Sequence, residues 1–101
     1  KVFIIQNTDK KIDLEDIAKA KHLSMDELLS EMESIVYQGT KLNIDYYIEE
    51  NFDEDIVDDF MDFMKESESD SMKVLLAEFG DDLTDEEVRM LRIKFISDVA
   101  N

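Results

Sequence analysis

The apolar residues of this chain recur mostly three and four positions apart, a spacing that places them on one face of an α-helix. The pattern predicts helices over about 13–21, 24–38, 53–66, 72–80 and 84–100. Residues 42–48 alternate partly like a strand, and a short helix starting near Asp45 is favoured over that alternative. The chain contains no proline and only two glycines. We therefore predict an all-α fold, a compact bundle of about five helices.

Two complete helix-start signals occur. Ser24 with Glu27, and Thr84 with Glu87, have the spacing of a capping box, in which a hydroxyl and a carboxylate satisfy the first backbone N–H groups. Each box is flanked by an apolar pair with the spacing of a hydrophobic staple, Leu23 with Leu28 and Leu83 with Val88. Gly39 and Gly80 stand where the preceding helices are expected to end.

The first residues look different. Val2–Ile5 is a short β-prone run, and the polar residues 6–11 that follow suit a linker or turn. We expect residues 1–11 to be an extended lead-in from an upstream domain and residues 12–101 to be the helical domain. The abrupt apolar opening after Lys1 suggests a piece of a longer protein.

The first two predicted helices have the shape of a helix-turn-helix. Ile17 and Ala18 are compact enough to let the second helix cross closely, and Leu23 can fill the corner between them. The residues placed for DNA contact are Lys19, Lys21, His22, Ser24 and Lys41. A plain αα-corner with no nucleic acid involved fits the same spacing. His22, the only histidine, is otherwise expected to be a surface or C-cap residue.

Charge argues against ordinary DNA reading. A recognition helix meets base edges with its N-terminal residues, and here these include Asp26, Glu27 and Glu31. The chain has a net charge of −16, and residues 45–70 hold twelve carboxylates against one lysine. Such a segment repels nucleic acid within a Debye length, about 8 Å at physiological salt. We expect Arg89, Arg92 and Lys94 to pair with this acidic segment.

Within the acidic segment, one group of aspartates forms a candidate interaction surface: Asp53, Asp55, Asp58, Asp59 and Asp62. A calcium loop needs a glycine at its sixth position and a distal glutamate, and neither spacing is present. A solvated helix face is the plainer reading. The sharper hypothesis is that this acidic helix mimics DNA and docks on a basic groove elsewhere in the parent protein.

Several kinds of chemistry are excluded by composition. Cysteine is absent, a second histidine is absent, and the two glycines stand far apart with no Lys-Ser/Thr pair behind them. The sequence therefore predicts no catalytic residue, no metal site and no bound cofactor in this chain. No apolar run is long enough for a membrane span, and we expect a cytoplasmic protein with no membrane partner.

The chain resembles the helix-turn-helix domain at the C-terminus of many bacterial RecQ-type ATP-dependent DNA helicases. The resemblance covers about residues 12–96. It is carried by residues 14–18, Leu23, Leu28, Leu29, Met32, residues 39–47 and residues 84–89.

The resemblance implies a non-catalytic accessory domain that modulates DNA engagement or recruits a protein partner. The parent would unwind DNA in the 3′ to 5′ direction, with ATP and Mg²⁺ bound by upstream helicase domains, in DNA repair and recombination. The partners implied are those upstream domains, DNA through the parent, and a further protein. An acidic helix-turn-helix regulator or scaffold unrelated to a helicase is the alternative.

Overall fold

The computed structural model describes residues 1–99, which contain seven α-helices and no strand. The helices are α1 (Val2–Asp9), α2 (Leu14–Ala20), α3 (Met25–Tyr37), α4 (Asp45–Asn51), α5 (Glu54–Glu66), α6 (Met72–Phe79) and α7 (Asp85–Val99). The all-α prediction is confirmed. The count exceeds five because the first residues are helical and the short helix at Asp45 forms. The Cα radius of gyration is 13.0 Å, a value typical of a folded domain of this length.

The extended lead-in predicted for residues 1–11 is wrong, because Val2–Asp9 forms α1. Ile4 and Thr8, one helical turn apart, are both fully buried. The Thr8 hydroxyl donates to the Ile5 carbonyl at 3.0 Å, which satisfies the one polar group on this face. Burial against the rest of the bundle therefore outweighs the β-preference of the first residues, a preference that depends on packing.

The core is organised around α7. This helix packs most extensively on α3, and it also contacts α4, α5 and α6. Leu28, Leu29 and Met32 of α3 are fully buried, as are Val88 and Leu91 of α7. Both predicted capping boxes are present, so the starts of these two central helices are fixed by local sequence.

The C-terminal end of α7 buries a polar residue. Ser97 is fully buried, whereas the apolar Val99 is 60% exposed. The Ser97 hydroxyl accepts from the Leu42 backbone N–H at 2.8 Å and donates to the Leu42 carbonyl at 2.9 Å. One side chain thus satisfies both polar groups of a buried, non-helical residue between α3 and α4.

The second half of the core is aromatic. Phe60 of α5 is fully buried, and its ring centroid lies 5.0 Å from that of Phe79 on α6. Phe63 approaches the same Phe79 ring edge-on at 5.5 Å. Phe60 and Met64 of α5 are therefore buried in the core, and the aspartates of α5 remain exposed. No helix within residues 1–99 is long and apolar enough to cross a membrane.

Candidate functional site

The turn of the helix-turn-helix is fixed by backbone geometry at His22. This residue has a φ of 58°, in the left-handed region that glycine usually occupies after a helix. Its N–H donates to the Lys19 carbonyl at 3.1 Å, and the Leu23 N–H donates to the Ala18 carbonyl at 2.8 Å. These two bonds form a Schellman motif, which closes α2. His22 is therefore exposed at the C′ position just beyond the C-cap Lys21.

Four of the five residues predicted to contact DNA lie together at this turn. Lys19, Lys21, His22 and Ser24 are all exposed at the N-terminal end of α3. Lys41 follows the other end of α3, so the length of that helix, about 20 Å, separates it from the turn. The cationic patch at the turn is therefore small.

Two of these side chains already have intramolecular contacts. The Ser24 hydroxyl accepts from the Glu27 N–H at 3.1 Å as part of the capping box. The Lys21 ammonium lies 5.4 Å from the centroid of the Phe3 ring, within range of a cation–π interaction with α1. A phosphate contact at the turn would have to compete with these contacts or to use Lys19 and His22.

The outward face of α3 is acidic. Glu27, Glu31, Ser34 and Gln38 are spaced at intervals that place them on one side of the helix, and all are exposed. The only ammonium hydrogen-bonded to this face in residues 1–99 is that of Lys1, which donates to the Gln38 side-chain carbonyl at 3.2 Å. Carboxylates at the N-terminal half of a recognition helix would face phosphate and bases, and their negative charge opposes DNA contact.

The flank of α3 is held by two arginines of α7. Arg89 bonds to both oxygens of Glu33, at 2.8 and 3.2 Å, and to Asp26 at 2.5 Å. It also donates to the Ser30 hydroxyl at 3.0 Å. Arg92 bonds to Glu33 at 2.6 Å, so one carboxylate bridges two guanidinium groups. We name this cluster of Glu33, Arg89 and Arg92 the α3–α7 clamp.

The clamp corrects the ion pairs predicted from sequence. Arg89 and Arg92 were expected to pair with the acidic segment 45–70, but both pair with carboxylates of α3. Arg92 reaches that segment only through the backbone carbonyl of Asp70, at 3.2 Å. Lys94 pairs with Asp45 at 2.8 Å, as predicted, and with Asp98 at 3.0 Å. The partners of the arginines were predicted wrongly because residues 45–70 hold most of the net negative charge. In the structure, α7 packs mainly on α3, so the carboxylates of α3 lie closest to the arginines.

The two arginines of the clamp favour the ionised form of Glu33. Burial raises the pKa of the Glu33 carboxyl, but hydrogen bonds and charge from Arg89 and Arg92 outweigh this and hold it below its ordinary value. The Tyr37 hydroxyl donates to Asp70 at 2.7 Å beside the clamp. Burial, and then this bond, raise the pKa of Tyr37 to about 12. The flank of α3 is thus neutralised from within the molecule.

The predicted acidic surface lies on α5 and the residue before it. Asp53 is the N-cap of α5 and accepts from the Asp55 N–H at 3.0 Å. Asp55, Asp58, Asp59 and Asp62 are exposed, and none of these five aspartates forms an ion pair within residues 1–99. No three His, Cys, Asp or Glu side chains in the same range converge as metal ligands. The aspartates form a solvated, uncompensated anionic face.

Two open cavities meet at Phe52, the residue that ends α4. One, of about 390 Å³, lies between α4, α5 and Lys94 of α7. The other, of about 460 Å³, lies between α4, the start of α3 and the start of α7. Nothing in the sequence pattern predicted them, because their walls come from residues far apart in the chain. The one local sign of the cavities in the sequence is Phe52, an aromatic residue flanked by acidic residues, and the structure shows it half-buried.

Comparison with known proteins identifies a matching family model. Residues 1–48 match the model of the RecQ-1-like, helix-turn-helix domain family. None of the curated proteins compared with the chain matches it. The match begins at α1 and ends within α4, so the predicted resemblance over residues 49–96 stays a prediction. The helix-turn-helix in residues 1–48 of this chain is similar to that of the RecQ-1-like family, which confirms the resemblance predicted from the sequence.

Proposed function

We propose that this chain is a non-catalytic accessory domain of a RecQ-like ATP-dependent 3′ to 5′ DNA helicase. It modulates DNA engagement or recruits a protein partner, and the geometry favours the protein contact. ATP and Mg²⁺ belong to the motor domains of the parent in this proposal. The match of residues 1–48 to the RecQ-1-like family supports the helicase context.

The observation that carries the protein-contact role is the state of α3. A DNA-reading helix must present a free, non-acidic face to the major groove. Here one face of α3 is in the core, its flank is bound by Arg89 and Arg92, and its remaining face presents Glu27 and Glu31. The helix therefore acts as a structural element of the bundle, and the basic turn beside it is too small for strong DNA binding.

The first test is the gene. We expect the reading frame upstream of Lys1 to encode helicase motor motifs, and a start codon within a few residues of Lys1 would contradict the proposal. The second test compares the full-length parent with a version lacking this domain, in DNA-stimulated ATP hydrolysis at saturating DNA. We expect the turnover number to stay within about twofold, because no catalytic group is removed. A loss of tenfold or more would show that the domain contributes to catalysis.

A further inference from the structure

We propose that the surface around Phe52 binds a basic amphipathic segment of a partner protein, one in which apolar side chains are flanked by Lys or Arg. We name this surface the Phe52 groove and define it by Met25, Ile48, Phe52, Val57 and Met90. The inference rests on the partner-recruiting role proposed above and gives the chemistry of the partner.

The groove consists of two cavities that share Phe52 as a lining residue. Ile48 and Val57 line one cavity, and Met25 and Met90 line the other. Ile48 and Met90 are buried and form the floor, so the accessible apolar surface comes from the half-buried Met25, Phe52 and Val57. Each volume lies within the range of about 300–1,000 Å³ that ligand pockets have in proteins. The two cavities can therefore accept two apolar side chains from one segment that crosses over Phe52.

Helix α7 runs along both cavities. Glu86, Met90 and Lys94 are four residues apart in turn and so lie on one face of that helix. Glu86 and Met90 line the larger cavity, and Lys94 lines the smaller one. A bound segment can therefore follow a single regular element.

The rim of the groove is anionic and uncompensated. Glu49 and Glu54 line the smaller cavity, and Glu15 and Glu86 line the larger one. None of these four carboxylates forms an ion pair within residues 1–99. The one cation at the groove, Lys94, is already paired with Asp45 and Asp98. Partner lysines or arginines would supply the missing positive charge, and the same rim repels nucleic acid.

The apolar walls of the groove require that the bound segment also carries apolar side chains. Charge alone would be satisfied by small cations, but the half-buried side chains of Met25, Phe52 and Val57 are stabilised only when apolar surface covers them. Met25 is half-buried at the groove, and its flexible thioether can adapt to differently shaped apolar side chains. An acidic rim around a methionine-containing groove thus fits a segment that is both basic and apolar.

The test uses a fluorescein-labelled helical peptide designed from Leu and Lys, with a Lys-only peptide of the same charge for comparison. Both are titrated with the protein in an anisotropy assay at physiological salt. We expect the Leu-containing peptide to bind at least about tenfold more tightly, which is what burial of one leucine side chain provides. The methyl NMR signals of Met25 and Met90 should shift on binding, and that of Met72 on α6 should not.

Two double variants with the same change of net charge separate the groove from the overall charge. Glu49→Lys with Glu86→Lys reverses the rim, and Asp59→Lys with Asp62→Lys reverses the same charge on the exposed face of α5. We expect the rim variant to weaken peptide binding about tenfold or more and the α5 variant less than threefold. Equal losses, shifts at Met72 as large as at Met25, or no preference for the Leu-containing peptide would each overturn the proposal.

This assay contains no DNA and no helicase. A failed groove therefore leaves the proposed accessory role intact, whereas the upstream gene and the ATP hydrolysis of the parent test that role separately.

Discussion

The α3–α7 clamp gives the most specific stability prediction. The perturbation is Glu33→Gln, which keeps the size of the side chain and removes its charge. Glu33 is 17% exposed, and the guanidinium-bearing side chains of Arg89 and Arg92 are each 14% exposed. The variant replaces one acceptor oxygen by an NH₂ group that faces the arginine donors. The single carbonyl oxygen that remains must then serve both Arg89 and Arg92, and Arg92 already has a buried Nε with no partner within residues 1–99.

The magnitude follows from these contacts. A hydrogen bond to a charged group contributes about 1.5–3 kcal/mol, and breaking a fully buried ion pair costs about 3–5 kcal/mol. Because the clamp keeps some solvent contact, we expect a loss of about 2–3 kcal/mol in the free energy of unfolding at pH 7. In urea this lowers the unfolding midpoint by about 1.5 M, given the denaturant dependence usual for small domains. Circular dichroism at 222 nm suits this helical protein.

The effect depends on pH with a definite sign. The pKa of Glu33 is lowered in the folded protein, so its stabilisation is fully present above the ordinary value of about 4.5. It is lost as pH falls through the lowered folded value. The stability gap between the wild type and Glu33→Gln should therefore be constant from pH 7 to 5 and shrink below pH 4.5.

A matched control is Glu31→Gln, on the exposed face of the same helix, which should change stability by less than about 0.5 kcal/mol. A similarly small effect for Glu33→Gln, or a gap that stays constant down to pH 2, would refute the reasoning about the clamp.

Two further predictions concern buried and left-handed backbone. Ser97→Ala removes the hydroxyl that pairs with both polar groups of the buried Leu42 backbone, and it should lower the free energy of unfolding in urea by about 1–3 kcal/mol. Ser34→Ala on the surface should leave it nearly unchanged. Equal effects of the two variants would mean that water replaces the Ser97 hydroxyl. His22→Gly removes the steric cost of a side chain in the left-handed region and should raise the free energy of unfolding by about 1 kcal/mol. Lys19→Gly inside α2 should lower it by a similar amount. A lower free energy of unfolding for His22→Gly would show that the imidazole contributes contacts of its own.

Local signals were enough to predict the helices that start with their own caps. The Ser24 and Thr84 boxes depend on residues three positions apart, and the structure confirms both. The first helix could not be predicted because it is stabilised by the burial of Ile4 and Thr8 in the bundle. Local sequence preferences carry no information about such tertiary contacts. His22 in the left-handed region was recognisable as a C-cap candidate, but its φ was not.

The candidate sites were less predictable than the fold. The charges of α3 showed that ordinary DNA reading was disfavoured, but the contacts of Arg89 with Glu33 join residues 56 positions apart. Composition pointed instead to the acidic segment. The Phe52 groove needs the relative placement of α3, α4, α5 and α7, which no pattern along a single helix provides.

We propose that α3 is a structural helix with an acidic face and that the domain does not read DNA by itself. The most direct measurement is the affinity of this chain for a fluorescein-labelled DNA duplex, by anisotropy at physiological salt. We predict binding no tighter than the non-specific range, a Kd of about 10⁻⁴ to 10⁻⁶ M, and weaker still given the net charge of −16. A sub-micromolar Kd would contradict the account.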